Sequence, residues 1–193
     1  SKRALRHLVA FTLLTCSFVL WGLSASATHF RYGNIVMQPT GNPNQIQIKV
    51  SQAWRASFYG ALPAVGATRS VGTLNFQYGT GAAIQNFNVN LTVTAVNAAE
   101  DWFFGEQTIL VTAPNPNADY RAVFSVCCRI SSLVNNRDLQ ATNIARLTLG
   151  NGNNAPVSTL PPIVNLPTGQ AAAGFTIPAF DENGDLVTFR LAT

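Results

Sequence analysis

Cysteine is too scarce in this sequence to staple a fold together. Three occur among 193 residues. Cys16 falls in an apolar N-terminal run, and Cys127 and Cys128 are adjacent, so there is no spaced framework of the kind that holds small secreted domains. A hydrophobic core must hold the fold instead. Histidine is scarcer still: only His7 and His29 occur, which excludes a histidine metal cluster beyond the N-terminal run and would force any Ser-His-Asp triad through His29. Charged residues make up only 10% of the chain. Basic residues such as Lys49 and Arg69 stand apart rather than clustered, which excludes the electrostatic footprint of a nucleic-acid partner. No phosphate-binding loop ends in Gly-Lys-Ser/Thr, and Gly79-Thr80-Gly81 lacks the third glycine and the helix of a dinucleotide loop. Glu100, Asp101 and Glu106 flank Trp102-Phe103-Phe104 in one short segment, where a solvated strand end explains them more simply than a pair of catalytic acids. These absences together argue against an enzyme.

What is present at the N-terminus has the three parts of a secretory signal peptide in order. Lys2, Arg3 and Arg6 make a basic start, Leu8 to Leu23 is an apolar run, and Ala25-Ser26-Ala27 is a small-x-small cleavage site. The run is shorter than the ~20 residues that span a bilayer. Cleavage between Ala27 and Thr28 is expected, with Thr28 the first residue of the secreted form. Thr15, rather than a small lipobox residue, precedes Cys16, and the apolar run continues beyond it, so lipidation there is not expected. Removing residues 1–27 lowers the basic count from twelve to nine against eight acidic residues, for a net charge of +1. The expected location is secreted or cell-surface, with membrane attachment only through the signal peptide or a further C-terminal anchor.

From Thr28 to Leu149 the chain reads as short alternating strands. Phe87, Val89, Leu91, Val93 and Ala95 share one face while Asn88, Asn90, Thr92 and Thr94 share the other, which is the clearest strand pattern in the sequence. Tyr120, Ala122, Phe124, Val126, Cys128 and Ile130 make a second long run, which puts Cys128 in the core and Cys127 outside and predicts that their thiols are not joined. Turn signals fall at 40–44, 79–81 and 113–117. No capped apolar pattern of helical period runs for several turns. The expected class is all-β, an antiparallel β-sandwich over residues 28–149, with an apolar and a wet side to each strand.

Residues 150–156, Gly-Asn-Gly-Asn-Asn-Ala-Pro, read as a linker. Beyond it, residues 157–193 hold the strand-like Gly174-Phe175-Thr176-Ile177-Pro178, the acidic turn Asp181-Glu182-Asn183-Gly184-Asp185 and the strand-like Leu186-Val187-Thr188-Phe189-Arg190-Leu191. A sandwich takes ~100 residues, so these are either the first strands of a second, truncated sandwich in a longer exported protein or strands that complete the first sheet. Asn154-Ala155-Pro156, Phe175 to Ala179 and Asp181 to Leu191 together resemble the opening of a bacterial cadherin-like or putative Ig-like repeat. That resemblance, limited to about residues 151–193, implies an exported surface protein that works by adhesion or structural contact.

Two ligand classes follow. Asp181, Asn183 and Asp185 place oxygens on alternate positions of a tight turn, a pattern that suits Ca²⁺; it equally suits a turn whose side chains bond their own backbone. In cadherins the linker supplies further acids, and this linker has none, so only weak calcium binding is expected. The other class is glycans, with Trp102, Phe103 and Trp54 as stacking faces. An aromatic in a sandwich is more often core, and burial of both tryptophans would favour that reading. The expected partner is a surface protein or a glycan. Asn90-Leu91-Thr92 matches the N-glycosylation sequon, which matters only in a eukaryotic secretory pathway.

Overall fold

Alternation of apolar and polar residues becomes one seven-stranded antiparallel sheet in the computed structural model of the chain, which describes residues 29–131, 138–164 and 176–190. Its strands are β1 (Phe30–Pro39), β2 (Gln45–Arg55), β3 (Thr68–Tyr78), β4 (Ala83–Asn97), β5 (Trp102–Thr112), β6 (Asp119–Val126) and β7 (Ala141–Thr148). They lie in the order β1-β2-β5-β4-β3-β6-β7. The breaks anticipated at 40–44, 79–81 and 113–117 are the turns after β1, β3 and β5. A short 3-10 helix, Ala56–Tyr59, follows β2. Among the described residues no helix is long and apolar enough to cross a membrane.

β4 makes the architecture. Its first part pairs with β3, from Gln77↔Ala83 to Thr68↔Thr92, and its last part pairs with β5, from Thr92↔Glu106 to Asn97↔Trp102. One strand thus leaves one half-sheet and joins the other, as strands do at the corner of a sandwich. The two halves, β1-β2-β5 and β3-β6-β7, face each other, and the outer strands meet again at the far side. There Asn143 Nδ2 of β7 donates to the Gly33 carbonyl of β1 at 3.2 Å, and Phe30 bridges Arg129. The antiparallel sandwich expected from the sequence is therefore present as a nearly closed sheet.

The core between the halves is aliphatic in its middle, with Met37, Ile46, Ile48, Leu74 and Leu91 fully buried, and aromatic toward its ends. On β4, Val89, Leu91 and Val93 point in as the alternation requires, while a register shift between Val93 and Ala95 breaks the pattern at the corner. At one end of the barrel Tyr120 is fully buried and stacks on Phe76, with ring centroids 5.1 Å apart. Its hydroxyl accepts from the Asn115 N–H at 2.8 Å and donates to the Asn115 carbonyl at 2.9 Å. A buried tyrosine that ties its own strand to the preceding turn is the device known as a tyrosine corner in sandwich domains.

Burial, followed by the neighbouring Tyr78, pushes the Tyr120 phenol up to about 12. A folded value above the unfolded ~10 means that the stabilisation is complete below pH ~10 and is lost as pH rises toward 12. Tyr120→Phe is expected to cost about 1 kcal/mol and to flatten the fall in stability above pH 10, both read from urea unfolding at pH 7 and pH 11.

After β7 the linker turns through Gly150 and Gly152, and a two-stranded ladder joins β8 (Val157–Ser158) to β9 (Ala179–Phe180). The strand expected over 186–191 does not form across its described residues 186–190. A strand needs a neighbour for its N–H and C=O groups, and no ladder partner lies beside this segment among the described residues. Leu186 and Phe189 stay 89% and 58% exposed. Phe175 and Leu191, like the cleavage site at Ala27 and Thr28 and like Cys16, lie outside the described residues.

Candidate contact surface

Register brings together on the outside of the β1-β2-β5 half a set of side chains far apart in sequence. The cross-strand rows are Tyr32–Ala53–Phe104, Asn34–Ser51–Glu106 and Val36–Lys49–Thr108. Tyr32 and Phe104 lie 6.3 Å apart, tilted at 47°, over the buried Ala53. Glu106 accepts from Lys49 Nζ at 2.9 Å and from Ser51 Oγ at 2.9 Å. Burial first, and the Glu106 charge second, raise the pKa of the Tyr32 phenol, so it stays a neutral donor. The tail passes over this face: Asn34 Nδ2 donates to the Ser158 carbonyl at 3.4 Å, and residues 157–162 wall one side of a groove of about 330 Å³. That cover explains why Val36 and Ser51, outward by register, are buried.

The Lys49–Glu106 pair is nearly half exposed at the lysine, so it adds at most about 1 kcal/mol to stability. Two aromatic side chains with a paired charge lie together on this outer face, beside residues 157–162.

The residues singled out for glycan stacking do not form a platform. Trp54 and Phe103 are opposite one another in register and fully buried. Trp54 packs edge-on against Phe30, Tyr59 and Phe124, and its indole N–H donates to Gln52 Oε1 at 3.0 Å. Trp54 and Phe103 are thus core residues, while the burial of both tryptophans that would favour a purely structural reading is met by Trp54 alone. Trp102, on the other face of β5, is half-buried and donates to Glu100 Oε2 at 2.8 Å. The carboxylates around it are each occupied locally. Asp101, at φ 55°, accepts from the Ser57 N–H and hydroxyl and from Arg55 Nε, and the Ser57 hydroxyl leads these bonds in lowering its pKa. That clamp fixes the 3-10 helix to the β4–β5 turn.

Asp181, Asn183 and Asp185 do lie on one turn, with Gly184 at φ 82°. Asp181 Oδ1 accepts from the backbone N–H of Asn183 at 2.8 Å and, more weakly, of Asp185 at 3.5 Å. Asn183 Oδ1 accepts from the Asn154 N–H at 2.6 Å, and its amide donates to the Gly152 carbonyl at 3.2 Å. Asp181 thus closes the turn on itself, and Asn183 fastens it to the linker. Among the described residues no group of three or more His, Cys, Asp or Glu side chains comes together as a metal site.

Cys127 and Cys128 correct the sequence expectation, since they are joined in a disulfide. The alternation argument assumed a strand through Ile130, but β6 ends at Val126, where its last partner on β7 is Ala141. Beyond that point nothing holds the two side chains on opposite faces. The Cys128 carbonyl then accepts from the N–H groups of His29 and Phe30, tying this corner to the start of β1. Intact protein from an oxidising compartment is expected to resist alkylation at both positions until a reductant is added.

Tyr32, Lys49 and Ser51 were not singled out as contact residues by the sequence. The parity of Trp102, Phe104 and Glu106 was the available signal for one strand of the face; only the pairing of three strands reveals the rest.

Comparison with known proteins gives a consistent picture. Residues 31–150 match the family described as "Integrin beta-like protein A-E, N-terminal", a span that coincides with the seven-stranded sheet. The chain is similar to integrin beta-like protein C of Dictyostelium discoideum, 33% identical over 90% of this chain and 9% of that protein, and to integrin beta-like protein A of the same organism, 33% identical over 97% of this chain and 10% of that protein. Integrin beta-like protein B is 32% identical over 77% of this chain and 8% of its own length. The chain spans about a tenth of the length of these relatives. No solved structure matches. Of the resemblance read from the tail, the matches support a cell-surface family and give no support to bacterial origin or to cadherin repeats.

Proposed function

The chain belongs to the N-terminal family of integrin beta-like proteins A–E, and from that premise we propose that it is the exported, non-catalytic contact domain of a cell-surface adhesion protein. The observation that carries this reading is the coincidence of the family match, 31–150, with the folded sheet from Phe30 to Thr148. The mechanism is display: a nearly closed sheet holds the Tyr32–Phe104 walls and the Lys49–Glu106 pair on its outer side, in the groove beside residues 157–162, where a partner protein surface meets them. The low charge suits such contact, because few ions have to be desolvated when two neutral surfaces meet. A signal peptide cleaved after Ala27 delivers the chain to the outside. Calcium plays no leading part in this reading, since Asp181 and Asn183 already use their side-chain oxygens on backbone N–H groups.

The test is on intact cells that make the whole protein. Antibody fragments raised against the folded chain are expected to stain unpermeabilised cells and to reduce their attachment to one another or to a substrate. Staining that requires permeabilisation would overturn the reading.

A further inference from the structure

We propose that Asn90 is an N-glycosylation site, whose glycan stands where β4 passes from one half-sheet to the other. The inference rests on the export reading above. Asn90-Leu91-Thr92 is the only Asn-x-Ser/Thr triplet in the sequence. The similarity to Dictyostelium discoideum proteins makes the eukaryotic secretory pathway, in which this triplet has meaning, the relevant one.

The geometry suits the modification. Leu91 is fully buried, so strand alternation turns Asn90 and Thr92 outward together, and both are exposed. Asn90 stands where β4 passes between the halves: it is paired with Ser70 on one side, and pairing with β5 begins only at Thr92. Its backbone N–H, which that gap leaves without a ladder partner, is satisfied by Gln107 Oε1 at 2.7 Å. The fold therefore uses the Asn90 backbone, and among the described residues none hydrogen-bonds its side-chain amide. Its partner across the ladder, Ser70, is small and exposed, which leaves room for a sugar.

The reaction is a transfer without redox change. The Asn90 amide nitrogen forms a bond to the anomeric carbon of a lipid-linked oligosaccharide and gives up a proton. The bond from that carbon to the lipid diphosphate breaks, and the diphosphate leaves with the electron pair. The donor lipid and the transferase are those of the secretory pathway. The consequence is positional. Asn86 and Asn88 of β4, opposite Asn75 and Thr73 of β3, form a flat neutral face beside the glycan and come under its cover. Thr92 is opposite Glu106 in register, so the glycan also borders the contact face at the corner between the half-sheets.

The full chain, with its own residues 1–27, is produced by a eukaryotic cell and collected from the medium. One glycosidase-sensitive mobility step is expected, and amidase release should convert Asn90 to aspartate in the peptide map. Asn90→Gln and Thr92→Ala should each abolish the step, while Thr92→Ser keeps it. Urea unfolding of Asn90→Gln should match that of the enzymatically deglycosylated chain, which separates loss of the sugar from loss of the fold. Secreted protein with an unmodified Asn90 peptide would overturn the proposal and leave the export reading standing. Chain retained inside the cell with residues 1–27 still attached would overturn both.

Discussion

Replacing Trp54 by alanine will cost about 3–5 kcal/mol, the range for a buried tryptophan, a large part of the ~5–15 kcal/mol typical of a domain's stability. Trp54 is fully buried at the meeting point of β1, β2, β6 and the 3-10 helix, with Phe30, Tyr59 and Phe124 edge-on around it. No single neighbour can collapse into the space. Removing the indole also leaves Gln52 Oε1, inside the core, without its donor, which adds a desolvation cost. Trp102→Ala, at a half-buried position on the outer face, should lose about 1 kcal/mol. Urea midpoints measure both. Near-native stability of the Trp54 variant would mean that its ring is available to a ligand after all.

Gly105→Val presents a conflict between two rules. Valine is a better strand former than glycine, so propensity alone predicts a gain. Yet a Cβ at Gly105 would sit 2.8 Å from the Thr92 carbonyl oxygen and 3.0 Å from Leu91 Cβ, where β4 crosses from one half-sheet to the other. The crowding atom is backbone and cannot swing aside. Sterics should win by about 3 kcal/mol, while Gly41→Ala, where nothing lies within 4 Å, should be near neutral. Thermal melts of the two variants decide it. A Gly105→Val protein as stable as the wild type would show that the crossing is looser than described.

How much of this could be read in advance depended on whether neighbours in sequence carried the information. β4 was plain because one side is core and the other water over most of its length. β5 was not, since Gly105 interrupts its inner face and both Trp102 and Phe104 on its outer face are large and apolar. β7 hid for a similar reason: Ile144 is apolar yet 54% exposed, beside the buried Ala145. Cys127 and Cys128 were misplaced because a strand's end is set by its partner, and Ala141 lies outside any local pattern. The contact face was least legible of all. Tyr32, Lys49 and Phe104 belong to three strands, and only the pairing register makes them neighbours.

The same register gives the most direct test of the contact reading. Cells are allowed to attach to surfaces coated with equal amounts of folded wild-type chain, the Lys49→Glu variant or the Asn88→Lys variant. Lys49→Glu sets two acids side by side on the proposed face and should reduce attachment several-fold, whereas Asn88→Lys, on the other half-sheet, should leave it unchanged. Attachment that ignores Lys49→Glu and falls with Asn88→Lys would place the contact on the opposite face, and attachment to none of the three would contradict an adhesive role.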